Sequence, residues 1–275
     1  MSAIITSLPF AQFRRIRTFY LWYDGLYAAF ALSAIGLMVS SGFEGLLPDW
    51  NPLYLALLPV AAYVSIMAHV FIHNASHGNF PKAINRIVGE ICGAIVLTKF
   101  ASWEITHRRH HRYSDDSEKD PHPAERGYWR YAFNTLIKVE LQLRQSYFDV
   151  YGDTPATRRY ESVRSLVSFA SGLMLMAFWF FLMGPGGFFM LFLPAFVGAA
   201  LFVIHFNWAG HNAHNPDETI APADLDHGWF WLGNRLFFGI YYHGTHHRMS
   251  MLFNPMKAPK KRAERSDDEG VRATA

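Results

Sequence analysis

Cysteine is almost absent. The 275-residue chain holds one, Cys92, which excludes an intramolecular disulfide, an iron–sulfur cluster and a Cys-rich zinc site. Charge is scarce as well: Asp, Glu, Lys and Arg make up 17% of the residues, against about 25% in an ordinary globular domain. A net charge of +3 is too small to point to nucleic acid as a partner. No Gly-rich dinucleotide fingerprint follows a strand-like run, and no internal repeat is visible. What is abundant is apolar, with 51% hydrophobic and 16% aromatic residues. Mean hydropathy is nevertheless only +0.05, so very apolar segments must alternate with a sizeable aqueous part.

A helix that crosses a bilayer needs about 20 mostly apolar residues. Gly25 to Phe43 and Trp50 to Pro81 carry no Asp, Glu, Lys or Arg, and neither does the long run from Ser165 to Ile204. Gly184-Pro185-Gly186-Gly187 interrupts that last run with a strong breaker signal. Four spans are therefore expected, at about 22–42, 52–73, 164–183 and 187–207, in two hairpins with a helical cap. Ile87 to Phe100 is shorter and contains Glu90 and Lys99, so it reads as a surface-lying or re-entrant helix. The fold class expected is an all-α integral membrane protein made of one domain.

All 25 Lys and Arg residues fall before the first span, within 78–164, or within 212–275. The outer turns Ser41–Asn51 and Gly184–Gly187 hold none. By the positive-inside bias, both termini and the segments 78–163 and 208–260 face the cytoplasm, which makes this the inner membrane if the cell is bacterial. The first ten residues lack a basic region, and no small-residue cleavage pattern follows, so no cleaved leader is expected. The basic stretch Lys257 to Arg262 leads into a mixed tail, 261–275, expected to be disordered near anionic headgroups.

Fourteen histidines are many for this length, and they cluster. His73-Asn-Ala-Ser-His77 closes the second span. His107-Arg-Arg-His110-His111 lies in the first cytoplasmic segment, and His243-Gly-Thr-His246-His247 in the second. Asn207-Trp-Ala-Gly-His211 stands where the fourth span leaves the membrane. Residues at i, i+3 and i+4 share one helix face, so each element offers its side chains to one point. A lone HxxxH is more often two ordinary histidines than a ligand pair, but these elements all fall at one membrane face. A structural zinc takes four ligands and an octahedral metal six, so nine converging imidazoles imply at least two metals. Imidazole alone does not choose between iron, zinc, copper and nickel. His69, His122 and His205 read as structural, and His214 and His227 as neighbours of the centre.

The pattern resembles the membrane-bound histidine-box di-iron superfamily, the fatty-acyl desaturases with their hydroxylase and carotenoid-ketolase relatives. The resemblance runs from His73 to about Pro255 and includes the span layout. It implies two iron ions held by His73, His77, His107, His110, His111, His243, His246 and His247, with Asn207 and His211 matching the family's NxxxH element. The first box departs from the stearoyl-CoA pattern by having three intervening residues rather than four. Asn74 stands where many relatives carry Asp, and Gly78 and the short chain are closer to ketolases.

Removing hydrogen from an unactivated methylene needs a strong oxidant that no side chain supplies, whereas a metal cofactor with dioxygen does. Glu104, Asp115, Asp116, Asp120 and His214 are the candidates for holding the second ring nitrogen of a ligand histidine. Trp103, Trp208, Trp229, Phe237 and Tyr241 are candidates for an apolar tunnel. Electrons must come from a separate donor, a ferredoxin or a cytochrome with its reductase, for which Arg108, Arg109 and Arg112 offer a basic docking face. The function expected is an oxygen-dependent acyl desaturase acting on acyl-CoA, acyl carrier protein or phospholipid. The alternatives are a hydroxylase or carotenoid ketolase, and then an alkene-forming decarboxylase. A metal transporter is disfavoured, because transporters place ionisable residues at mid-membrane and these spans have none there.

Overall fold

The computed structural model describes residue 14 and residues 16–259. The tail 261–275 and Arg15 lie outside the described residues. Nine α-helices follow one another among the described residues: α1 (Phe19–Ser40), α2 (Leu58–His77, entered through a 3-10 turn at Pro52–Leu57), α3 (Lys82–Ile95), α4 (Phe100–Tyr113), α5 (Tyr128–Tyr151), α6 (Pro155–Gly187), α7 (Leu193–Gly210), α8 (Gly228–Leu236) and α9 (His243–Arg248). No strand occurs among them beyond one isolated bridge, Asp224 to Tyr242.

Three helical stretches are long and apolar enough to cross a membrane: Phe19–Ser40, Pro52–His77 and Pro155–Gly210. Their outward faces carry Trp22, Leu26, Leu37, Val60, Leu166 and Phe169, all exposed. Contiguous apolar surface of this extent suits lipid rather than water. The third stretch is not one helix. Gly184 takes φ 74° and ψ 166°, a left-handed conformation open to glycine, and the chain breaks there before a π-helical turn at Phe188–Phe192 leads into α7.

The break frees backbone groups that need partners inside an apolar environment. The outer turn after α1 supplies them. Leu46 and Leu47 donate N–H to the carbonyls of Leu182 and Met183 at 2.9 and 2.8 Å, and Gly187 donates back to the Leu47 carbonyl at 2.8 Å. This turn sits against glycine backbone, and a Cβ on Gly184 would stand 2.8 Å from Pro48 Cα. α1 packs along α6, and α2 along α7 and α3. Each member of the first pair of apolar helices thus leans on a member of the second.

α6 begins at Pro155, earlier than the apolar run, because Thr154 and Thr157 form a capping box ahead of it. α3 starts at Lys82 and is amphipathic: Gly89, Cys92 and Gly93 are buried while Ile84, Ile87 and Ile91 are exposed. α5 carries a second exposed stripe, Trp129, Phe133, Leu136, Ile137 and Leu141. Its first turn is fastened to the middle of α7, where Tyr128 donates to the Leu201 carbonyl at 2.8 Å.

Candidate metal centre

Four segments deliver the histidines. α2 stops at Gly78, whose φ of 79° gives a left-handed cap while Asn79 N–H closes onto the Asn74 carbonyl at 3.1 Å. His73 and His77 thereby occupy its last two turns. α4 brings His107, His110 and His111 from its C-terminal half. His211 follows directly on α7. α9 is short and carries His243, His246 and His247. It is anchored by Asp224, which accepts from Thr245 N–H and from Thr245 Oγ1, both at 2.6 Å. Gly210 lets α9 close onto α7, because a Cβ there would stand 2.8 Å from His243 Cβ.

Two groups result. His73, His77, His107 and His246 form one, and His110, His211, His243 and His247 the other, with ligand atoms within 4.8 Å of one another in each. His111 stands between them. Its Nε2 lies 3.2 Å from His107 Nε2 and 3.0 Å from His246 Nε2, and its ring stacks on His247 with centroids 4.3 Å apart. Within the groups, His77 and His107 approach to 2.7 Å and His211 and His243 to 3.0 Å through Nε2. His110 Nε2 is buried with no hydrogen-bond partner in the structure.

Burial and mutual repulsion hold His107, His110, His243 and His246 well below the usual imidazole range, and lower His111 and His247, the last to about 3. Neutral rings present lone pairs, as a metal requires. An all-imidazole donor set with crowded Nε2 atoms and an orphaned one at His110 fits first-row transition metals.

The acidic candidates separate clearly. Asp120 Oδ1 lies 2.9 Å from His110 Nδ1, and Asp115 Oδ1 lies 2.9 Å from His211 Nδ1. Each fixes its ring with Nε2 turned inward. Asp115 takes φ 65° and donates its own N–H to Asp120 Oδ2 at 2.7 Å, so the two carboxylates are braced together. Burial pushes the Asp120 carboxyl up to about 7, against the pull of the His122 and Asp115 N–H groups.

Glu104 departs from the expectation. Its carboxylate is buried and paired with Arg14 and with Arg86 rather than with a ligand ring. Asp116 instead accepts from the N–H groups of Glu118 and Lys119 at 2.9 and 3.0 Å, closing a surface turn. His214 packs on Trp208 and Phe230. Asn207 is buried one turn before His211 and donates to the Val203 carbonyl at 3.0 Å. His122, read as structural, packs its ring 4.5 Å from that of His110. Arg109 does not belong to a basic surface: it is buried against Gln142 and Asp149. Arg112 is exposed, and Arg108 is half-buried and donates to the Ser76 carbonyl.

A small, partly open cavity meets the rings of His73, His243 and His246 and is walled by Val70, Phe206, Phe237, Phe238, Ile240 and Phe253. Of the five aromatic residues expected to line a tunnel, Phe237 does so. Trp103 stacks on His107 at 5.5 Å, Tyr241 is buried with its hydroxyl 3.1 Å from His205 Nδ1, Trp208 reaches the Arg126 carbonyl and Trp229 is exposed. Phe206, Phe238 and Phe253 escaped notice because nothing in their spacing distinguishes a cavity wall from ordinary packing.

The architecture and the rings define a class: a helical membrane protein with two adjoining histidine clusters at the ends of its apolar helices. The fatty acid desaturase family model matches residues 48–253, and the chain belongs to that family. Membership makes it an oxidoreductase of the desaturase and hydroxylase type. No curated protein and no solved structure matches the chain.

Proposed function

We propose that this chain is an oxygen-dependent desaturase of fatty-acyl lipids, working through two irons held by the nine clustered histidines. The observation that carries the reading is the pair of four-histidine groups joined through His111. Iron bound there supplies the one-electron and dioxygen chemistry that an unactivated methylene requires. The protein's own part is positional. Asp115 and Asp120 fix the rings of His211 and His110, and Asn207 stands one turn before His211 to complete the surround. The cavity beside His73 and His243 receives an alkyl segment, and its phenylalanine walls exclude water from it.

In the membrane, Pro155–Gly210 crosses twice, folded at Gly184, which gives four spans with α1 and α2. The distribution of Lys and Arg puts both termini and the histidines on the cytoplasmic side. The stripes on α3 and α5 support helices lying in the interface. The acyl group arrives on coenzyme A, acyl carrier protein or a phospholipid. Electrons come from a separate ferredoxin, or from a cytochrome with its reductase, docking near Arg108 and Arg112.

The test is mass spectrometry of total lipids from a host that expresses the chain, beside a His110→Ala control. An acyl chain two hydrogens lighter, absent from the control, is the expected result. An acyl chain or carotenoid that gains oxygen instead moves the assignment to the hydroxylase or ketolase branch.

A further inference from the structure

His69 lies one turn before His73 on α2 and lines the same cavity, yet belongs to neither histidine group. Its Nδ1 is 2.9 Å from the Ser65 carbonyl. A carbonyl oxygen only accepts, so Nδ1 carries the proton, and a neutral ring then holds a bare lone pair on Nε2. No protein group among the described residues bonds to that nitrogen.

The other polar side chain on the wall outside the histidine groups is Asn74. It is satisfied: its amide donates to the Val70 carbonyl at 3.0 Å and its oxygen accepts from Asn79 at 2.9 Å. The remaining lining side chains are hydrocarbon. Among the described residues, His69 is thus the side-chain acceptor left open on the part of the wall outside the histidine groups. A plain alkyl chain filling the cavity strands that acceptor without a hydrogen-bond partner. A chain that carries a hydroxyl at the right carbon satisfies it.

We infer that His69 is a specificity-determining residue whose Nε2 accepts a hydrogen bond from a hydroxyl on the substrate, and that the preferred substrate is a hydroxylated alkyl lipid. His69 stands four positions, about 6 Å along the helix axis, from His73. The inference rests on the reading of this cavity as the alkyl site. It asks only about binding, so it is tested without dioxygen or electrons.

Purified protein in nanodiscs is loaded with radiolabelled octadecanoate, which is then displaced by octadecanoate or by hydroxyoctadecanoates carrying the hydroxyl at successive mid-chain positions. At one or two adjacent positions the hydroxylated acid is expected to displace the label at about tenfold lower concentration than the plain acid. In His69→Phe that preference disappears and plain octadecanoate binds at least as well as before. In His69→Gln, which keeps an acceptor, part of it remains. Equal displacement by every member of the series in the unaltered protein overturns the inference, as does a preference that survives His69→Phe. Should the variants fail to fold, the scan of the unaltered protein decides alone. A preference found here stands even if no acyl chain is desaturated in the lipid experiment, and desaturation without any preference removes only the role of His69.

Discussion

Asp115, Asp116 and Asp120 look alike in the sequence, three acids in a loop after the second histidine element, yet they do different work. The left-handed turn at Asp115 swings that carboxylate to His211 and leaves the next one facing water, where Asp116 closes a surface turn. Residue spacing carries no signature of this, because an αL turn at a non-glycine residue is set by what holds it, here the bond to Asp120. Asp120→Asn is expected to lower bound metal and activity by about 10- to 100-fold, and Asp116→Asn to leave both unchanged. Metal analysis of the purified variants beside lipid profiling checks the pair. Glu104 has a different outcome. Glu104→Gln breaks the buried ion pair with Arg14 and is expected to cost about 3–5 kcal/mol of stability, so thermal unfolding in detergent shifts down. A Glu104→Gln protein as stable as the parent would refute the buried pair. Histidine spacing was the legible part at this scale, because i, i+3 and i+4 positions converge wherever the helix points.

Among the elements, apolar runs and breakers were readable. The extents of α3 and α6 and the cavity wall were not, since Phe237 to Ile240 and Phe253 come from irregular segments brought in by tertiary packing. Gly184-Pro185-Gly186-Gly187 was expected as a breaker that joins two spans in a tight hairpin. The structure makes it a socket, filled by residues 46–49 of the other outer turn. Gly184→Ala therefore meets both a positive φ and the Pro48 backbone, and Gly186→Ala collides with the Asp49 carbonyl. Each is expected to destabilise by at least about 1–3 kcal/mol. Gly172→Ala, with open space around its Cβ position, changes stability by less than about 1 kcal/mol. Detergent-resistance and thermal-unfolding measurements on the three variants separate a packed socket from a loose loop.

For the whole molecule, pH acts through the clustered rings. Free imidazoles titrate near 6.5, whereas burial lowers His107, His110, His111, His243, His246 and His247. Above pH 6.5 these rings are neutral folded or unfolded. Below it the unfolded chain gains protons that the folded chain refuses, so stability falls, by about 1.4 kcal/mol per pH unit for each ring. Metal retention is expected to hold at pH 7.5 and to collapse between about pH 6 and 5, read as metal content after equilibration at each pH. The pairing of α1 with α6 and of α2 with α7 has a consequence for biosynthesis. α1 does not meet α6, nor α2 meet α7, until the chain beyond Pro155 is made, and the last histidine element follows every other ligand in the chain. A chain stopped short of His247 accordingly owns no complete centre, so on the proposed reading an oxygen-reactive metal pair arises only after that element has been made.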